Sequence, residues 1–176
     1  QPETTDVSTV WNTAALTREI TADGDTDRQE TIKAAITAAT KKFGSRKEAV
    51  SIEWYVARLV LALESDDKAG AAAALSDLLS RQKPDGSWGW LTADSGDALA
   101  TGMSLYAIVR SRGSEQKHAE AVERAINFLV TTQQKDGSWP VKGTKEKKKA
   151  NIEETAVYWG TTWATIALLE TLPVVE

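Results

Sequence analysis

Two copies of one short pattern constrain this chain more than any other feature. Gln82-Lys-Pro-Asp-Gly-Ser-Trp88 and Gln133-Gln-Lys-Asp-Gly-Ser-Trp139 share the form Q-x-x-D-G-S-W and start 51 residues apart. Each closes a stretch with helical spacing of apolar residues. Repetition of this kind marks a supersecondary unit that stacks on copies of itself.

Two kinds of helical segment alternate along the chain. The first kind is apolar, with small residues and threonine. It covers Ser8–Leu16, Ser51–Leu59, Asp97–Leu105 and Gly160–Leu168. Aligning the closing leucines puts Trp11, Trp54 and Trp163 in one column, with Ala100 in the fourth copy. The copies lie 43, 46 and 63 residues apart, and the long interval holds the lysine-rich stretch Lys142–Lys149, which reads as a solvated loop insertion. The second kind is polar and amphipathic, over about Asp27–Phe43, Lys68–Gln82 and Ser114–Gln133. Apolar positions recur there at helical spacing, as in Ile32, Ala35, Ala39 or Ala121, Ala125, Leu129. Thr26-Asp27 and Ser114 supply start signals; Gly44, Asp85-Gly86 and Asp136-Gly137 supply stops.

A polar helix can bury only one stripe, whereas the apolar helices need cover on most sides. The expected architecture is therefore all-α: a curved row of helical hairpins with an inner and an outer layer. No stretch alternates with period two, so no strand is expected. All of residues 1–176 are read as a single domain. The net charge of −4 gives no basis for nucleic-acid binding. The absence of cysteine excludes disulfides, thiolate metal sites and a cysteine nucleophile. No apolar run approaches the roughly 20 residues that span a bilayer.

The Q-x-x-D-G-S-W segments resemble the QW repeats of squalene and oxidosqualene cyclases and of the wider prenyltransferase-like toroids. The resemblance covers about Ala72 to Pro173, and more loosely the whole chain. It implies an α/α-toroid, and with it structural roles for Gln82, Asp85, Gly86, Trp88, Gln133, Asp136, Gly137 and Trp139. The glutamine amide would tie to backbone groups at helix ends, with the tryptophan packed over it. The physical chemistry agrees: helix ends carry unsatisfied backbone groups, and an amide offers both donor and acceptor. Four inner and three outer helices make roughly half a ring, with an apolar face left to cover. The chain starts at Gln1-Pro2 and its single methionine is Met103. Loss of an upstream part is therefore expected, with this chain as the C-terminal part of a longer toroid. A missing N-terminal half, a second copy, or an apolar isoprenoid-type ligand are the expected partners.

The resemblance brings less chemistry than fold. Cyclases of this kind protonate an alkene or epoxide from a D-x-D-D-T-A run at the start of an inner helix. The nearest stretch is Asp97-Ala-Leu-Ala-Thr101, where the proton-donor position holds Leu99. Protonation-initiated cyclisation by this chain alone is not expected, unless the acid motif lies in a missing half. Zinc-dependent prenyl transfer needs Cys and His ligands, and the chain has no cysteine and one histidine. No metal or cofactor is expected. Glu64-Ser-Asp-Asp-Lys-Ala-Gly70 has the paired acids of a D-D-x-x-D site, but Lys68 and Gly70 break the pattern and it reads as an exposed turn. Candidate inner-cavity residues are Trp11, Glu53, Trp54, Arg58, Asp94, Asp97, Glu153, Glu154 and Trp163. The aromatics are core fillers or a cation-stabilising wall; the acids are helix caps, ligand contacts or, on a polysaccharide-active toroid, a carboxylate pair. The leading expectation is a module without cyclase chemistry of its own that binds a partner or an apolar ligand on its inner face.

Overall fold

The computed structural model describes residues 4–20, 26–44, 48–111 and 115–173. Among them are seven α-helices: α1 (Thr4–Ile20), α2 (Thr26–Gly44), α3 (Ile52–Glu64), α4 (Lys68–Leu79), α5 (Ala98–Arg110), α6 (Glu115–Thr132) and α7 (Glu154–Glu170). A single 3-10 turn spans Glu146–Lys148, and extended structure among these residues is limited to isolated bridges. The start signal read at Ser114 and the last residues of the chain lie outside the described residues.

Helix α1 packs on α3, α3 on α5 and α5 on α7, so the odd-numbered helices form one continuous row. The even-numbered helices α2, α4 and α6 each lie against the helix before them, forming the second layer. This is the α/α-toroid arrangement, built from helical hairpins. The burial pattern follows from it. Helices α3 and α5 have neighbours on several sides and are buried through most of their length. In the outer layer, α4 buries only the stripe Ala74, Leu75, Leu78. Helix α6 buries Ala125 and Leu129, the expected stripe.

Two sequence expectations need correction. Helix α7 was expected to be buried like the other apolar helices, yet it buries only Ala156, Gly160, Ala164 and Ala167. Among the described residues no outer helix packs on its far side, where Tyr158, Trp159, Ile166 and Leu169 are exposed. On α2, Ala35 of the expected stripe is exposed, with Ile32 and Ala39 half-buried. Helix α2 packs on α1, at the end of the row.

The two repeated segments build the same joint twice. Gly86 and Gly137 adopt φ of 86° and 85°, the left-handed region open to glycine. The Asp85 and Asp136 carboxylates each accept from the backbone N–H and hydroxyl of the serine two residues on. For Asp136 these bonds hold the carboxyl below its usual range, the Ser138 N–H first. The Trp88 indole N–H donates to the Leu78 carbonyl at 2.9 Å, and the Trp139 indole to Leu129 at 2.8 Å. Each tryptophan thereby satisfies a last-turn carbonyl of its own outer helix. Its backbone N–H donates across to an inner helix: Trp88 to the Thr101 hydroxyl of α5 at 3.0 Å, Trp139 to Thr161 of α7 at 3.3 Å.

Gln82 and Gln133 close their turns by donating to the Gly86 and Gly137 carbonyls, each at 3.0 Å. Gln82 goes further. Its amide also donates to the Ala121 carbonyl at 2.8 Å, and its oxygen accepts from Arg124, both on α6. The expected tie to helix ends is thus also a tie to the flank of the next outer helix. Among the described residues no outer helix stands beyond Gln133 for its amide to reach. Helices α5 and α7 approach closely at Gly102, where an added Cβ would stand 2.6 Å from the Ala164 backbone nitrogen.

Two substitutions test this packing in thermal unfolding. Trp139→Phe keeps a buried ring but removes the indole bond to the Leu129 carbonyl, for a loss of about 1–3 kcal/mol. Gly102→Ala forces α5 from α7 at a similar cost of about 1–3 kcal/mol. A Tm unchanged in either variant contradicts the corresponding contact.

Candidate functional site

The inner row carries a cavity of about 450 Å³. Its apolar walls come from three layers of chain. Trp11 reaches in from α1, Leu99 and Met103 from α5, and Ala156, Trp159 and Trp163 from α7. Trp90, in the loop behind the first repeated segment, closes one side. The remaining wall is the stretch between the second repeated segment and α7, with Thr144, Lys145, Lys148, Glu153 and Thr155.

The aromatic wall is ordered by its own contacts. Trp11 and Trp163 stack with centroids 6.2 Å apart, and Tyr106 meets Trp163 edge-on at 5.5 Å. Among these rings stands one carboxyl, Glu53, on the first turn of α3. Burial pushes its pKa up, and a hydrogen bond from the Trp11 side chain opposes that rise. Its oxygens offer a hydrogen-bonding point on an otherwise apolar wall.

The loop wall is better tied down than the expectation of a solvated insertion allowed. Gly143 donates to Asn151 at 3.0 Å and Glu153 to Val141 at 3.1 Å, a short ladder that fixes Lys145 and Lys148 over the cavity. Glu153 caps α7 by accepting from the Ala156 N–H at 3.3 Å, and Lys148 pairs with it at 2.7 Å. The lysine holds the Glu153 carboxyl below its usual range.

Of the residues singled out in the sequence, Trp11, Glu53, Glu153 and Trp163 come together on this cavity. Trp54 does not. It is fully buried, edge-on to Tyr55 at 5.1 Å, because the α3 column position faces the core where α1 and α7 face open space. Arg58 also points away. Its guanidinium covers the Trp54 ring at 5.5 Å and pairs with Asp77 of α4 at 2.8 Å. Glu154 is exposed on the first turn of α7 and does not line the cavity.

Asp94 and Asp97 line a separate pocket of about 250 Å³ with Lys142 and Lys149, and Trp90 divides it from the larger cavity. Asp97 caps α5, accepting from the Ala100 and Trp90 N–H groups, each at 2.8 Å. Burial pushes its pKa to about 6, with the Asp94 charge adding to the rise. Asp94 has Lys149 at 3.8 Å. The paired acids Asp66 and Asp67 lie in the exposed turn between α3 and α4, where Asp67 caps α4 through the Gly70 N–H.

Sequence reasoning missed Trp90, Met103, Trp159 and the two lysines as wall residues. The signal for the lysines was present in the 63-residue interval, whose extra length is the chain that wraps the cavity mouth. Leu99, singled out as the residue in place of an acid, faces this same cavity. Among the described residues no cluster of His, Cys, Asp and Glu could hold a metal ion.

Comparison with known families gives one result. The model of the squalene-hopene cyclase C-terminal domain matches residues 54–174. No curated protein matches the chain.

The raised Asp97 and Glu53 carboxyls make a prediction about pH. Each binds its proton more tightly folded than unfolded, so the associated stability is greatest below about pH 4 and falls as pH rises toward about 6. Unfolding free energy of Asp97→Asn should fall less over that interval than that of the unaltered chain. Parallel curves contradict the assignment to Asp97.

Proposed function

The chain belongs to the squalene-hopene cyclase C-terminal domain family, and on that premise we propose that it binds an apolar, isoprenoid-type ligand in the inner-row cavity without initiating cyclisation itself. The observation that carries this reading is the cavity wall. Trp11, Trp90, Trp159 and Trp163 surround a space of about 450 Å³ whose aromatic side holds one half-buried carboxyl, Glu53. That volume lies in the ordinary range for small-molecule sites, and the apolar lining with a few polar groups is their usual composition.

The same geometry argues against protonation by this chain. Leu99 faces the cavity where the resemblance would put the acid, and Leu99 has no proton to give. Glu53 is no substitute. Its pKa is raised, which makes it a weaker acid, whereas protonating an alkene calls for a stronger one. A cyclase whose acid motif is supplied by a further part of the protein remains the alternative, with this module shaping the cavity.

A partner on α7 is a second component of the proposal. The exposed Tyr158, Trp159, Ile166 and Leu169 form the apolar side that an additional helix would cover in a longer or paired ring. Native mass spectrometry reads this directly: a dimer supports self-association, and a monomer at micromolar concentration removes it.

Binding is tested by tryptophan fluorescence with farnesol as a neutral isoprenoid probe. The expected result is saturable binding that weakens about tenfold or more in Trp163→Ala, in line with loss of a large aromatic contact, and is unchanged in Arg58→Gln. No saturable signal, or equal affinity in both variants, contradicts the cavity reading. Squalene incubated with the chain should be recovered unchanged. A cyclised product lost in Glu53→Gln would establish the enzyme reading instead.

A further inference from the structure

The cavity is not apolar to its mouth. The end formed by the loop before α7 has the Thr144 and Thr155 hydroxyls, the Lys145 and Lys148 ammonium groups and the first turn of α7. A helix start carries unpaired N–H groups and a partial positive charge. One carboxylate, Glu153, offsets one of the two lysines by pairing with Lys148 at 2.7 Å. Lys145 is exposed and within electrostatic reach of the same carboxylate, so the groups lining this end are two lysines and one glutamate. Over residues 142–154 the five lysines at 142, 145, 147, 148 and 149 still outnumber the three glutamates at 146, 153 and 154.

Such an end is a poor match to a hydrocarbon, which would leave desolvated ammonium groups facing apolar surface. It suits an anion, which ammonium groups and helix N-termini both stabilise.

We propose that the loop Lys142–Lys149 gives the cavity a headgroup end, and that the ligand is a single-chain amphiphile: an isoprenoid-type tail ending in a phosphate. The tail lies among Trp11, Trp159 and Trp163; the phosphate takes Lys145 and Lys148. This deepens the apolar-ligand reading and rests on it. The loop insertion then has a role that the shorter intervals of the repeat do not require, since it brings charge to the mouth of a site that the helices alone would leave apolar.

The test compares farnesyl phosphate with farnesol, two probes with the same tail. Affinity is read by tryptophan fluorescence for the unaltered chain, Lys145→Gln and the Lys145→Gln/Lys148→Gln pair. The unaltered chain should bind the phosphate about tenfold or more tighter, as expected for charge-assisted hydrogen bonds. That preference should shrink as salt is raised. It should diminish in Lys145→Gln and vanish in the double variant, with farnesol affinity unchanged in both. Lys145→Gln leaves the Lys148–Glu153 pair at the start of α7 intact, so it stands as the test if the double variant unfolds. Inorganic phosphate should compete with farnesyl phosphate and not with farnesol. Equal affinity for the two probes overturns the headgroup end while the apolar cavity stands. Binding of neither overturns both. Capture of the chain by anionic lipid vesicles, with no binding of free farnesyl phosphate, would assign the lysines to a membrane surface and overturn the proposal.

Discussion

The structure depends on one bond made twice: an indole N–H donated into the last turn of an outer helix. Trp88 gives it to Leu78 and Trp139 to Leu129. Each bond gives a buried indole N–H its acceptor, in a place water does not reach, where a missing partner would cost about 1–3 kcal/mol. Because the same tryptophans donate their backbone N–H groups to Thr101 and Thr161, each joint pins an outer helix to the next inner one. Spacing within the inner row is thereby fixed at its ends. Along its length it is fixed by close approach, as at Gly102 against α7.

The cavity follows from that frame. Helices held only by side-chain packing would close over an empty space of this size, because voids lose dispersion contacts. Here the positions of α5 and α7 are set by bonds outside the cavity, and the rings of Trp11 and Trp163 brace its wall. The charged groups at the two ends differ in kind. Glu53 lies among aromatic rings and its carboxyl tends to the neutral form. Glu153 lies beside Lys148 and tends to the ionised form. The site thus has one carboxyl among aromatic rings and, across apolar surface, an end where lysines and a carboxylate meet.

Much of the fold was legible from the chain alone, for a physical reason. Helical periodicity, glycine stops and a repeated turn are local signals, and a repeat protein is assembled from local contacts. The alternation of apolar and polar segments therefore gave the two layers, and the D-G-S-W turns gave their joints. The cavity was less legible because it is a property of three-dimensional placement. Trp11, Trp54 and Trp163 share one column of the repeat, yet Trp54 is enclosed while the other two face the cavity. A column fixes the face of a helix and not what stands opposite it. The lysine-rich stretch was read as a solvated insertion, since nothing local reveals that Gly143–Asn151 pairing folds it back over α7. An apolar face left to cover was expected from the half-ring count, but not its place on α7, because apolar composition does not record which neighbour is absent.

The central claim is that the two joints hold the inner row in place before any ligand arrives. Hydrogen exchange of the unliganded chain, resolved at single amides by NMR, tests it most directly. The Trp88 and Trp139 backbone N–H groups, both outside helices, should exchange as slowly as core amides of α5. The Trp90 N–H, donated to Asp97, should be protected as well. Exchange of these amides at the rate of an unstructured peptide would contradict the account, because the joints would then be open and the cavity would form only on binding.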